Sequence, residues 1–131
     1  STPLYSSAAS DVYKRQVLNI KGRNFEIKNF YEGISKFHFD ELCDQNLGGE
    51  DYLKIAESSE FIIIENVPEF SDINSNQQQR FITLIDVIYD KDRAIAVTAE
   101  QSLEKLSSSK SLEKPFKRTI SRLFELTSKN Y

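Results

Sequence analysis

Two apolar runs separated by one amphipathic stretch constrain this chain more than anything else in its sequence. Phe61-Ile62-Ile63-Ile64 is unbroken and rich in β-branched residues, which suits a strand buried on both faces, and it ends at Glu65-Asn66-Val67-Pro68. After a polar loop, Phe81, Leu84, Ile85 and Ile88 fall at i, i+3, i+4 and i+7, one face of a helix starting near Gln78 and closing at Asp90-Lys91-Asp92. Ala94-Ile95-Ala96-Val97-Thr98-Ala99 then reads as a second buried strand. Strand, helix, strand in that order predicts a parallel βαβ unit, and such crossovers are almost always right-handed.

The flanks complete an α/β reading, with α+β as the alternative. Val17-Leu18-Asn19-Ile20, the turn Lys21-Gly22-Arg23-Asn24, and then Phe25, Ile27, Ile34, Phe37 and Phe39 predict a small antiparallel meander over residues 17–39, broken at Gly33. Asp40 is the expected cap of a short helix beginning Glu41-Leu42-Cys43. Gly48-Gly49 separates it from a second helix, Glu50 to Ala56. Gln101 or Ser102 opens another short helix through Leu106, and Ser107-Ser108-Ser109-Lys110-Ser111 is a surface loop. The last helix starts near Phe116, with Phe116, Ile120, Leu123 and Phe124 expected on its buried face.

Composition removes several functions. A formal net charge of -3 gives no basic stripe to neutralise phosphates, so no nucleic-acid partner is expected. His38 is the only histidine, which excludes most histidine metal sites and Ser-His-Asp triads. Cys43, the only cysteine, reads as a small buried hydrophobe in a reducing cytoplasm. No apolar run approaches the roughly 20 residues of a bilayer span. The chain contains no methionine, so Ser1 is not expected to be a natural start. Residues 1–16 lack periodicity and the apolar core of a signal peptide, and Asp11-Val12-Tyr13-Lys14-Arg15-Gln16 resembles the translation of a sequencing adapter. Residues 1–16 are therefore expected to be an adapter-derived or disordered leader, and residues 17–131 the folded part.

The chemistry-bearing motifs are sparse. No G-x-x-x-x-G-K-[ST] occurs, and none of Gly22, Gly33, Gly48 and Gly49 precedes a lysine, so the phosphate cradle of a P-loop is missing. Glu65 ends an apolar strand as a Mg²⁺-binding carboxylate does at the edge of a nucleotide-binding sheet, and Thr98-Ala99-Glu100 ends the next strand similarly, yet loop polarity explains both more simply. Asp40 with Glu41, and Glu50 with Asp51, are neighbours on helices that do not face one another, which fits caps and solvated faces. Arg118 and Arg122, four residues apart on the last helix, share a face and can both reach an anion such as a phosphate. Structural ion pairing is the competing reading, with Glu125 within reach of Arg122. Tyr52, Tyr89 and Tyr131 form no stacking platform with basic spacing.

An ordered set of motifs nevertheless carries a resemblance. Phe39-Asp40-Glu41-Leu42-Cys43, Asp51-Tyr52-Leu53, Val67-Pro68, Arg80-Phe81-Ile82-Thr83-Leu84-Ile85-Asp86 with Tyr89-Asp90, Ala99-Glu100, Arg118-Thr119, and Ser121-Arg122-Leu123 with Glu125, Ser128 and Tyr131 resemble the C-terminal third of the ZapE-like ATPases. Leu47-Gly48, Glu65-Asn66 and Leu126-Thr127 depart from that family's usual Arg-Ser, acidic pair and Met-Gln. The resemblance implies the carboxyl portion of a P-loop NTPase fold of AAA+-like class, whose parent binds and hydrolyses ATP with Mg²⁺ through Walker motifs upstream. It implies no catalytic residue here, a nucleotide-facing role for Arg118 or Arg122, and no ATP hydrolysis by this chain alone. It also implies a protein partner in the division machinery or in inner-membrane complexes. The parent would be a cytoplasmic protein, peripheral to the inner face of the membrane at most, and able to form a homo-oligomer. The rival reading is a non-catalytic protein-interaction module.

Overall fold

The computed structural model describes residues 12–128, so residues 1–11 of the expected leader, and Tyr131, lie outside the described residues. One five-stranded sheet runs in sequence order through β1 (Lys14–Ile20), β2 (Arg23–Tyr31), β3 (Ile34–His38), β4 (Phe61–Val67) and β5 (Ala94–Ala99). The first two pairings are antiparallel and the last two parallel. Helices α1 (Phe39–Cys43) and α2 (Gly49–Ser58) connect β3 to β4, α3 (Ser75–Asp90) connects β4 to β5, and α4 (Glu113–Thr127) follows. The fold is α/β, with the expected meander, βαβ unit and terminal helix. One feature exceeds the expectation: β3 pairs in parallel with β4, from Ile34 opposite Phe61 to His38 opposite Glu65. The two short helices are therefore a crossover of their own, and the meander and the βαβ unit merge into one sheet.

Both hairpin loops are two residues long and have positive φ at each central position, Lys21 (51°) with Gly22 (78°) and Glu32 (45°) with Gly33 (84°). That is the condition of a type I′ turn, whose twist matches the flanking strands. At Gly33 a Cβ would also come within 2.9 Å of the Glu60 carboxylate. In β2 a bulge sets two residues, Lys28 and Asn29, against the single Arg15 of β1. It turns Phe30 toward the core despite the odd spacing from Ile27.

One face of the sheet carries Leu18, Ile20, Ile27, Phe37, Ile62, Ile64 and Ile95, all buried against the helices. Phe70, alone in a loop, sits 5.7 Å from Phe39, 5.8 Å from Phe81 and 5.5 Å from Phe116, ring centre to ring centre. It joins α1, α3 and α4, and each such pair adds about 0.5–1.5 kcal/mol beyond burial. The Tyr52 hydroxyl donates to the Leu42 carbonyl at 2.7 Å, which ties α2 to α1. The buried Ser35 and Ser59 hydroxyls satisfy each other at 2.5 Å.

Several boundaries differ from the sequence expectation. The cap of α1 is His38, whose Nδ1 accepts from the Asp40 N–H while Glu41 accepts from the His38 N–H, so Asp40 lies inside the helix. α3 begins at Ser75, and α4 at Glu113 with Pro115 in its first turn, where a missing N–H costs nothing. The helix expected up to Leu106 is a short 3₁₀ turn, Leu103–Lys105. The buried stripe of α4 is Phe116, Thr119, Leu123 and Leu126, while Phe124 is 44% exposed. In β4, Ile62 and Ile64 are buried, but Phe61 and Ile63 on the opposite face are only half-buried. That asymmetry predicts unequal costs in urea unfolding of this chain: Ile64→Ala should lose about 2–5 kcal/mol, and Ile63→Ala less than half as much. Equal losses would mean that β4 is closed on both faces.

Candidate functional site

Ligands of open α/β sheets bind at the carboxyl ends of parallel strands, so this edge is the first place to search. His38, Glu65 and Thr98 lie there on β3, β4 and β5. Each is engaged. The His38 Nδ1 is occupied by the α1 cap, and the Glu65 carboxylate lies 3.7 Å from the Lys36 ammonium. The Thr98 hydroxyl accepts from the N–H of Asn66 at 2.9 Å. Asn66 has φ 65°, which Asn tolerates better than most residues. Glu100 donates its N–H back to the Val67 carbonyl. Among the described residues no group of three or more His, Cys, Asp or Glu side chains is placed to hold a metal ion. With no glycine-lysine cradle in the sequence, the residues of this chain do not fit a nucleotide–Mg²⁺ site by themselves.

The adjacent acids are spent structurally too. Asp51 is buried, pairs with Arg23 and accepts from the Gly48 N–H at 2.8 Å, so it pins the first hairpin to the start of α2. Glu50 reaches Lys21 at 2.7 Å. Cys43 is fully buried, and burial pushes its thiol pKa up, partly opposed by the Arg80 guanidinium. It stays neutral, which removes its nucleophilicity. Burial raises the Tyr52 phenol in the same way.

The two arginines singled out by spacing converge on one carboxylate of α3. Arg122 Nη1 lies 2.5 Å from Asp86 Oδ1, and Arg118 Nη2 lies 3.9 Å from Asp86 Oδ2. The Arg122 guanidinium also sits 4.7 Å from the centre of the Tyr89 ring, whose hydroxyl donates to Glu125 at 2.9 Å. Glu125, the expected competitor for Arg122, is thus held by Tyr89 instead. The side chain of Arg122 is 25% exposed and that of Arg118 is 58%. Arg122 is therefore committed to the contact between α3 and α4, while Arg118 keeps most of its guanidinium in solvent at the limit of ion-pair distance. The sequence places Asp86 and Tyr89 in a family-like motif but does not show them as partners of the last helix, because those partners lie more than thirty residues away. The only hint is their i, i+3 spacing on one helix beside the i, i+4 arginines of another.

A groove of about 770 Å³ lies between the Leu103–Ser108 segment and α4. Leu103, Leu106, Phe116 and Ile120 form its apolar lining, and Lys114 and Lys117 stand beside them. Neither Arg118 nor Arg122 reaches it. Helix α4 thus presents two distinct faces, a groove side and an arginine side.

Among the described residues no helix is long and apolar enough to cross a membrane. No solved structure matches the chain significantly. Among curated proteins, it is 38% identical over 97 residues to lactation elevated protein 1 homolog B of Danio rerio, covering 74% of this chain and 19% of that protein. It is 28% identical over 93 residues to cell division protein ZapE of Escherichia coli, covering 71% of this chain and 25% of that protein. An uncharacterized protein of Schizosaccharomyces pombe is 25% identical over 89 residues, 68% of this chain and 20% of its own length. The chain thus spans about a fifth to a quarter of the length of the curated relatives it matches. A model of the AFG1-like ATPases matches residues 4–131, and with that match the chain belongs to the AFG1-like ATPase family.

Proposed function

We propose that this chain is the non-catalytic C-terminal portion of an ATP-hydrolysing, AAA+-like protein that remodels a protein complex. The family match over residues 4–131, in a chain without a P-loop, carries this reading. ATP and Mg²⁺ are held by Walker motifs elsewhere in the parent, and this portion shapes a surface for a partner or a neighbouring subunit. One relative is named a cell division protein, which supports a partner in the division machinery; a partner in an inner-membrane complex is the alternative. The parent is read as a cytoplasmic protein working at the inner face of the membrane. Of the two arginines, Arg118 is the one with a guanidinium free to meet a nucleotide phosphate, since Arg122 is held by Asp86 and Tyr89.

A second reading, a self-contained interaction module that works without nucleotide, is favoured by the groove beside α4. ATP turnover decides between them. The complete parent should hydrolyse ATP, while this chain alone should neither hydrolyse it nor bind a fluorescent ATP analogue; a parent without turnover leaves the module reading standing.

Within an active parent the arginines should separate. Arg118→Ala is expected to lower turnover about 10- to 100-fold, the equivalent of the 1.5–3 kcal/mol of a hydrogen bond to a charged group, with the unfolding midpoint unchanged. Arg122→Ala should instead lower stability by about 1–3 kcal/mol, a loss shared with Asp86→Ala because the two residues act as one pair. Stability lost at Arg118 with turnover intact would assign both arginines to ion pairing.

A further inference from the structure

The outer face of the sheet changes character where the strands change direction. On β1 and β2 it is largely polar, with Asn19 opposite Asn24 and Glu26 opposite the exposed Val17, and the exposed Tyr31 stands beside Ile34 at its border. On β3, β4 and β5 the register lines up Ile34, Phe61 and Ala94 in one row and Lys36, Ile63 and Ala96 in the next. Ile34, Phe61, Ile63 and Ala96 are half-buried and lie outside the core cluster formed by the opposite face and the helices. The Lys36–Glu65 pair bounds the apolar strip at its carboxyl end.

The four helices of the described residues lie on the other side. α1, α2 and α4 each pack against α3, and their buried residues join the inner sheet residues in one cluster. Parallel strands are found almost only in sheets covered on both faces, whereas an antiparallel sheet can leave one face to water. The largely polar outer face of β1 and β2 and the apolar outer face of β3–β5 follow that division. The strip is therefore composed to be covered, and the described residues supply no helix for it.

We infer that an amphipathic helical layer from the remainder of the parent polypeptide packs across Ile34, Phe61, Ile63 and Ala96 and closes this portion onto the rest of the ATPase. The inference rests on the reading of the chain as part of a longer protein. The matched region is a quarter or less of its relatives, so ample polypeptide exists to supply the layer. Helices are the usual cover of a parallel sheet, and the small Ala94 and Ala96 on β5 leave room for one beside the bulkier Phe61 and Ile63. A second copy of the chain is a poorer occupant. A stable interface buries about 800 Å² on each partner, more than four half-buried side chains expose. A segment linked to the same chain needs no such area, because its effective concentration is already high.

Thiol labelling reads the cover directly. Cys43 is the only native cysteine of this chain and is fully buried, so Ile63→Cys creates a single reactive position. Ala96→Cys repeats the measurement with a smaller change in volume. In the 131-residue chain, a maleimide should modify either position at the rate of a solvent-facing thiol. In the complete parent, followed by mass spectrometry of the same peptide, the rate should fall about tenfold or more, because reaction then waits on local opening. Equal rates in a parent that still hydrolyses ATP overturn the inference while the ATPase reading stands. A parent without ATP turnover defeats that reading, and the labelling ratio still judges the cover. Slow labelling in the isolated chain also overturns the inference: at every concentration it means that this chain's own residues cover the strip, and only at high concentration that a second copy does.

Discussion

Everything in this structure depends on β4 having a parallel neighbour on each side. A parallel pair cannot be joined by a tight turn, so each pairing demands a crossover that leaves the sheet and returns. Two crossovers put α1, α2 and α3 in one layer, and α4 completes it by packing on α3. The aromatic group around Phe70 fills the junction where α1, α3 and α4 meet. The antiparallel hairpin of β1 and β2 extends the sheet on the far side of β3 and is fastened by the buried Asp51 with Arg23 and the Gly48 N–H. The sheet, the helical layer and the polar pin thus answer in turn to the geometry of one strand.

Local information was readable because it has a period. The i, i+3, i+4, i+7 spacing in α3, the glycine turns and the apolar runs of β4 and β5 report neighbours within a few residues, and each of these elements is present. What escaped the sequence is what depends on partners far along the chain. Nothing local in Ile34–His38 distinguishes a strand that ends a meander from one that also pairs with β4. Phe70 is a lone aromatic among polar residues, and only the assembled helices show that it is central. The start of α1 was misplaced by two residues because an imidazole accepting from a backbone N–H did the work that Asp40 is chemically better known for. The stripe of α4 was misread because Thr119 is buried with its hydroxyl bonded to the Pro115 carbonyl, while the apolar Phe124 faces outward.

The site followed the same division. Arg118 and Arg122 stood out because their spacing is local, but their different fates were set by Asp86 and Tyr89 on another helix. Two side chains of one type, one turn apart, thus acquire different chemistry. Arg122 trades solvent for a carboxylate and a ring face, and a guanidinium so held has little left to offer a ligand. Arg118 keeps its hydration and a contact at 3.9 Å, and an exposed ion pair of that length is worth little. Giving it up for a phosphate would cost the fold almost nothing.

That contrast extends to the chain as a whole. The groups at the carboxyl edge of the sheet, where an open α/β fold ordinarily works on its ligand, are consumed by a cap, an ion pair and a loop contact. The features left uncommitted are surfaces: the groove beside α4, the outward guanidinium of Arg118 and the apolar strip behind β3–β5. A catalytic domain concentrates strained, perturbed and converging groups in one cleft, whereas Cys43 and Tyr52, both raised by burial, lie in the core. Such a distribution fits a part whose task is to be contacted. Under the proposed reading, those surfaces are where this portion meets a partner or the rest of the parent, and the β4-centred sheet is what holds them in place.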